Sequence, residues 1–257
     1  MDSARALTVK DQNGKIQTAG AAMGTFDNIA HAPDIISLLF VQNGVDLSNM
    51  SASSQNVADA LTFYTSFAQE GQNVWDNTLD NSELAFAKGN VAMYFGYSWD
   101  IFAIKAINPQ LQFAIYPVPT LQDRDMTIAS YWINGISPRS KHPKQALLFL
   151  KYLSQKGTEQ NLYTQEAKTR LFGQPYARVD LANLLSNNAL IHPFVLQAPR
   201  AVSSFFASDT FDNGLNQQMN TYLGNAVNAI FQSSSAQSSA ETLSKGVAQV
   251  LSTYGQH

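Results

Sequence analysis

The segment from Phe86 to Asp100, FAKGNVAMYFGYSWD, constrains the fold more than any other part of the sequence. Gly89 is predicted to end a helix, because glycine adopts the left-handed conformation at no steric cost. The residues that follow, 91–95, are apolar, aromatic and β-branched, which is typical of a buried strand. Gly96 ends that strand, and a second helix is predicted over 101–107. The segment therefore predicts helix, strand, glycine turn and helix in succession.

A polar and aromatic turn follows the predicted strand. In open α/β sheets, ligands bind just beyond the carboxyl ends of strands. Tyr97 and Trp99 at this place favour a binding surface, and burial in the core is the alternative for both. Ser98 and Asp100 are candidates for hydrogen bonds to a ligand. Either residue is equally suited to capping the helix that follows.

The composition excludes several classes of protein. Charged residues make up 14% of the 257 residues and the formal net charge is −3, which argues against a nucleic-acid partner. There is no cysteine, so disulfides and thiolate metal sites are excluded. The histidines have no metal-binding spacing, and nucleophile-elbow and P-loop patterns are absent. No metal and no cofactor are expected.

The rest of the chain predicts an α/β fold. Residues 113–119 and 128–136 are predicted strands, and Asn13-Gly14 lies at the tip of a hairpin or of a surface loop. Trp75 is predicted to be structural. Further helices are predicted from about 33 to 43, 57 to 69, 82 to 86, 144 to 153, 158 to 167, 181 to 185, 193 to 198, 212 to 231 and 240 to 254. The helix at 144–153 has apolar residues at the spacing of a buried face: Ala146, Leu147, Phe149, Leu150 and Leu153.

A series of short motifs resembles the extracellular solute-binding proteins of ABC importers, most of all sugar-binding family 1, related to maltose-binding protein. The first motif is Phe86, Gly89, Ala92, Met93, Gly96 and Trp99. The other motifs follow in the family's order: Tyr116-Pro117-Val118-Pro119, Trp132 to Ser137, Lys144 to Leu153 and Phe172 to Arg178. Each motif alone is weak, but their ordered series is fairly specific and covers nearly the whole chain.

The resemblance implies a periplasmic-binding-protein-like fold of type II, mostly its C-terminal lobe, with the first lobe largely absent. It assigns 1–129 to the first part of the C-terminal lobe and 183–257 to its closing helices. Residues 130–182 are the segment that crosses into the N-terminal lobe in the family. The chain alone is accordingly expected to bind its ligand weakly or not at all, since much of the facing wall of the cleft is missing.

The resemblance adds further candidate ligand-binding residues to the turn. Tyr131, Trp132 and Asn134 lie on a predicted strand, where neighbouring side chains point to opposite faces, so at most one aromatic is expected in the cleft and the other in the core. In the family, the region of Phe206 and Asp209 supplies ligand contacts, and packing between helices is the alternative. Arg170 precedes a loop near the family's hinge, with an exposed surface charge as the alternative.

The function implied by the resemblance is capture of a small solute, a mono- or oligosaccharide, between two lobes for an ABC permease in the membrane. The implied location is extracellular or periplasmic, with a membrane tether in the full-length form, although Met1 to Arg5 lack the apolar core of a signal peptide. A sensory or interaction role without transport is one alternative. A carbohydrate-active hydrolase is another, since two catalytic carboxylates can lie far apart in sequence.

Overall fold

A computed structural model describes residues 1–121, 124–207 and 213–255. The chain divides into two compact units. The first unit comprises Met1–Gln112, Val118–Ser130 and Arg200–His257, and the second comprises Phe113–Pro117 and Tyr131–Pro199.

The regular elements of the first unit are mainly helices. In chain order, its elements are α1 (Asp2–Leu7), β1 (Val9–Lys10), β2 (Ile16–Thr18), α2 (Ala32–Gln42), α3 (Ser54–Thr65), α4 (Ser82–Ala87), α5 (Asp100–Ile107) and β3 (Thr127–Ile128). The second unit contributes α6 (Pro143–Leu153), α7 (Lys156–Glu166) and α8 (His192–Gln197). The first unit then resumes with β4 (Ala201–Val202), α9 (Leu215–Phe231) and α10 (Ala236–Thr253). Short 3₁₀ turns lie at Met50–Ser53, Ser66–Ala68, Val179–Leu185 and Ala198–Arg200.

The core of the first unit lies between α2, α3, α9 and α10. Nearly every residue of α2 is buried, as its run of apolar residues predicts. Helix α10 packs along α9 and α3 through Leu243, Val247 and Val250. Trp75 is fully buried, and its indole N–H donates to Thr25 Oγ1 and Asn28 Oδ1, 3.0 Å from each. The structural role predicted for Trp75 is confirmed.

Strand pairing is short in both sheets. β1 and β2 form an antiparallel hairpin around the Asn13-Gly14 turn, which decides between the two predictions for that region. β3 pairs in parallel with β4, and the ladder ends where the Ala129 N–H donates to the Val202 carbonyl at 3.0 Å. The strand predicted over 128–136 is therefore wrong beyond its first residues, because the chain passes into the second unit at Tyr131.

The other two predicted strands are not regular strands. Val91 forms one parallel bridge with Ala19, flanked by a hydrogen bond from the Ala92 N–H to the Ala19 carbonyl at 2.9 Å. The pairing stops after Met93 because its partner is a short irregular segment. Residues 113–119 form no ladder with any described residue, and Pro117 and Pro119 have no N–H to donate.

The predicted helices are confirmed to within a few residues at most ends, but the burial predicted for α6 is wrong. No side chain of α6 is buried, and Leu147 and Phe149 are 46% and 59% exposed. Within the second unit, α6 packs on α7, which covers too little of the apolar face to bury it. None of the helices in the described ranges is both long and apolar enough to cross a membrane.

Candidate functional site

A cavity of about 230 Å³ lies in the first unit, beside the N-termini of α2 and α5. The segment before α9 and one face of α9 complete its walls. Its lining is Ala30, His31, Pro33, Asp34, Tyr97, Trp99, Ser130, Phe206, Ala207, Asn216 and Asn220. Aromatic and polar side chains thus share a small concave surface, which is the usual character of a ligand site.

His31 joins the two helix N-termini at the cavity. It occupies the N-cap position of α2, and Asp34 lies in the first turn, where a negative charge suits the helix dipole. The imidazole Nε2 lies 2.7 Å from Asp100 Oδ2, and Nδ1 lies 3.6 Å from Asp34 Oδ2. Burial lowers the pKa of His31, but the hydrogen bonds and charges of Asp100 and Asp34 outweigh it and raise the pKa from 6.5 to about 9.

Asp100 is the centre of a hydrogen-bonded cluster behind the cavity. Its Oδ2 accepts from His31, from the Tyr94 hydroxyl at 3.0 Å and from the Tyr97 backbone N–H at 3.0 Å. A Cβ on Gly96 would lie 2.5 Å from this oxygen, so glycine is required for the close approach. Asp100 is only 6% exposed. We therefore place Asp100 as a residue that orients the turn.

The capping predicted for α5 is wrong. Trp99 occupies the N-cap position, without a side-chain cap, and Asp100 is the first residue of the helix. The Asp100 carboxylate turns back to the Tyr97 N–H because His31 and Tyr94 hold it there. Ser98 does not cap the helix either, and it lies outside the cavity lining.

Tyr97 and Trp99 form a stacked aromatic pair on the cavity wall. Their ring centroids are 4.3 Å apart and their planes differ by 16°. The Tyr97 hydroxyl donates to Asp34 Oδ1, and the His31 ring meets Tyr97 edge-on at 5.1 Å. Burial, reinforced by the charge of Asp34, raises the pKa of Tyr97 above its usual value. Trp99 remains 46% exposed and offers an apolar surface to the cavity.

An ordered pair of amides from α9 lines the opposite side. The Asn216 Nδ2 donates to the carbonyls of Phe205 and Phe206, at 2.8 and 3.1 Å. This fixes Asn216 Oδ1 as the acceptor for the Asn220 Nδ2, at 3.3 Å. Asn220 Oδ1 is left without a hydrogen-bond partner among the described residues.

The structure brings together only some of the residues proposed from the sequence. Tyr97, Trp99 and Phe206 line one cavity, with Asp100 directly behind it. Tyr131, Trp132, Asn134 and Arg170 belong to the second unit. Arg170 is paired with Glu166 and is exposed. Asp209 lies outside the described residues.

The expectation that either Tyr131 or Trp132 is a core residue is wrong. Tyr131 is 66% exposed and Trp132 is 86% exposed. The alternation of faces on which that expectation rests requires a regular strand, and residues 131–136 are not in one.

Sequence reasoning missed His31, Asp34, Ser130 and the two asparagines. A signal for the first two was present, because a helix was predicted to begin near Pro33. A histidine just before that start and an aspartate in its first turn are polar residues at the end of an otherwise apolar helix. The asparagines gave no comparable signal, since asparagine is frequent throughout this chain.

The arrangement can bind a small molecule that has an apolar face and hydrogen-bond donors. Trp99 suits the apolar face, and the Asp34 carboxylate is the acceptor at the cavity wall. Across residues 1–121, 124–207 and 213–255, no group of three His, Asp or Glu side chains is placed to hold a metal ion.

Solved structures of known proteins share this fold. The chain matches a solute-binding protein of an ABC transporter from Thermotoga lettingae, bound with α-D-tagatose, at 19% identity and a TM-score of 0.69 over 97% of the chain. It matches a cyclo/maltodextrin-binding protein complexed with maltotetraose at 17% identity and a TM-score of 0.72 over 98%. A maltose/maltodextrin-binding domain from Bdellovibrio bacteriovorus, bound to maltotriose, matches at 14% identity and a TM-score of 0.61 over 98%.

These likenesses establish the fold and confirm the periplasmic-binding-protein-like architecture expected from the sequence motifs. The chain spans 63% of the Thermotoga protein, 63% of the cyclo/maltodextrin-binding protein and 65% of the Bdellovibrio domain. No curated protein sequence matches the chain. The sequence profile described as bacterial extracellular solute-binding protein matches residues 5–170, more than half of the chain. The chain therefore belongs to the bacterial extracellular solute-binding protein family.

Proposed function

We propose that the chain binds a small carbohydrate, a mono- or oligosaccharide, as the capture component of an ABC importer. The observation that carries the proposal is the half-exposed Trp99, stacked on Tyr97 beside the Asp34 carboxylate at one cavity. Sugar rings have apolar C–H faces that pack on aromatic rings, and their hydroxyls donate to carboxylate and amide oxygens.

Membership of the solute-binding family supports an extracellular or periplasmic location and a permease in the membrane as the partner. The sugars bound in the three similar structures support the ligand class. In the proposed mechanism, the ligand binds between two lobes and favours the closed state, which the permease recognises. In this proposal, residues 1–129 and 183–257 belong to the C-terminal lobe, and residues 130–182 are the segment that crosses into the N-terminal lobe.

Binding without chemical conversion is favoured over hydrolysis. The family and the similar structures are named as binding proteins. The two carboxylates at the site share one imidazolium, and Asp100 is buried with three donors on a single oxygen. A retaining or inverting hydrolase needs two carboxyl groups that reach the scissile bond, and Asp100 does not reach the cavity.

The substitution Trp99→Ala, made in a protein that contains both lobes, tests this proposal. We expect sugar affinity to fall roughly 30-fold, since removal of a central aromatic anchor costs on the order of 2 kcal/mol. Calorimetry and ligand-observed NMR across a panel of mono- and oligosaccharides measure the change. Tyr116→Ala, at a 78% exposed aromatic outside the cavity, is the matched control and should leave affinity unchanged. Equal affinity of the Trp99→Ala variant and the parent chain would disprove the role of Trp99.

A further inference from the structure

Among the ionised side chains around the cavity, negative charge exceeds positive charge. Asp34 and Asp100 are balanced by the single imidazolium of His31, which leaves one net negative charge at the wall. None of the described lining residues is Lys or Arg. Glu83 is close enough to interact with both Asp100 and His31, and it adds to the negative field rather than offsetting it.

Most hydrogen-bond donors at the cavity already have partners within the protein. The Tyr97 hydroxyl donates to Asp34, and the Tyr97 N–H donates to Asp100. The Asn216 amide donates to two backbone carbonyls, and the Asn220 amide donates to Asn216 Oδ1. Among the side chains of the described lining, the Ser130 hydroxyl, the Trp99 indole N–H and the second N–H of the Asn220 amide are the donors left for a ligand, and none of them is charged.

We propose that this cavity selects its ligand by charge. It takes polyhydroxylated ligands that are neutral or carry an ammonium group, and it rejects their carboxylate and phosphate derivatives. An anionic group would lose its hydration, meet only the His31 imidazolium, which two carboxylates already hold, and be repelled by the net negative charge of these side chains. An ammonium group gains from the Asp34 carboxylate and from the exposed face of Trp99. This inference rests on the proposed function and narrows its substrate class.

Matched sugar sets test the selection. In the glucose, galactose and mannose series, the free hexose, its uronic acid and its 2-amino derivative are compared near neutral pH by calorimetry and saturation-transfer NMR. We expect the uronate to bind at least about tenfold more weakly than the hexose, and the amino sugar to bind as tightly as the hexose or more tightly. Uronates that bind like their hexoses overturn the charge selection and leave the proposed function standing. In a protein that contains both lobes, a complete absence of binding by all sugars overturns both.

The substitution Asp34→Asn identifies the source of the selection. It should bring the affinity for the amino sugar down to that for the hexose, and it should reduce the difference in affinity between the hexose and the uronate. Asp59→Asn, at an exposed position of α3, removes the same charge outside the cavity and should leave both ratios unchanged. Ratios in Asp34→Asn equal to those of the parent chain contradict the inference.

Salt dependence of the unmodified chain gives a test that needs no variant. Between about 20 mM and about 500 mM salt, amino-sugar affinity should fall, uronate affinity should rise and hexose affinity should stay constant, because salt screens the field of the wall. Three parallel salt profiles overturn the inference.

Discussion

At the scale of single residues, His31 determines how the site is held. It links the first turn of α2 to the first residue of α5 through two carboxylates, and those carboxylates hold Tyr97 by its hydroxyl and its backbone N–H. Trp99 stacks on the ring that is fixed in this way. The aromatic pair was predictable from sequence, because it follows a glycine after an apolar run. The histidine was not, because its carboxylate partners are brought together only by the fold.

The raised pKa of His31 makes stability depend on pH. The folded state binds the imidazole proton more tightly than the unfolded state, with a pKa of about 9 against 6.5. The stabilisation of the folded state by this proton is fully present below about pH 6.5 and is lost as the pH rises through about 9. Its upper size is about 3 kcal/mol, from roughly 1.4 kcal/mol for each unit of pKa.

The His31→Gln variant tests this linkage. In the parent chain, the free energy of unfolding should fall between about pH 6.5 and about pH 9, and His31→Gln should remove most of that fall. Denaturant titrations followed by tryptophan fluorescence at several pH values measure it. His142→Gln, at an exposed histidine before α6, is the control and should keep the parent profile. An undiminished pH slope in His31→Gln would contradict the coupling.

At the scale of elements, helices were predictable and strands were not. Helix signals are local: apolar spacing and a proline near the start sufficed for α2 and α6, and apolar spacing alone sufficed for α9. Strands depend on a partner elsewhere in the chain. Val91 has strand-like composition but finds only the short segment that begins at Ala19, so one bridge forms in place of a ladder.

The contact between α9 and α10 depends on a glycine. A Cβ on Gly246 would lie 2.3 Å from the ring of Tyr222, so α10 approaches α9 more closely than any larger residue allows. Alanine is the better helix former by about 1 kcal/mol, but overpacking a tight contact costs about 1–3 kcal/mol. The steric term is the larger of the two.

We therefore expect Gly246→Ala to destabilise the chain by up to about 2 kcal/mol, measured by denaturant unfolding. Ser252→Ala, at an exposed position of the same helix, introduces the same residue without a clash. It should be neutral or slightly stabilising. A stability gain in both variants would show that the α9–α10 contact relaxes at little cost.

At the scale of the whole molecule, the family and fold followed from an ordered series of weak motifs. The exposure of the apolar side chains of α6 in the second unit could not be predicted from the sequence. Apolar spacing in α6 predicts a buried face, but the sequence does not specify which residues cover that face. Leu147, Leu148, Phe149 and Tyr152 are all about half exposed or more. Contiguous apolar surface of this kind promotes association.

The double substitution Leu148→Gln and Phe149→Gln should reduce association without unfolding the chain. We expect the free energy of unfolding to change by less than about 1 kcal/mol, since exposed positions contribute little. Dye binding to apolar surface and light scattering at increasing concentration should both fall. Leu223→Gln, at a fully buried position of α9, is the contrasting variant and should cost more than about 3 kcal/mol. Equal losses in the two variants would contradict the exposure of α6.

The packing of α10 on α3 has a consequence for synthesis. A ribosome completes residues 131–199 of the second unit before it begins α9 and α10, whereas the core of the first unit needs those two helices beside α2 and α3. The first unit therefore stays open during most of translation, with the apolar faces of α2 and α3 accessible to chaperones. Contacts between segments so distant in sequence also favour slow folding, which lengthens the period in which these apolar faces are accessible.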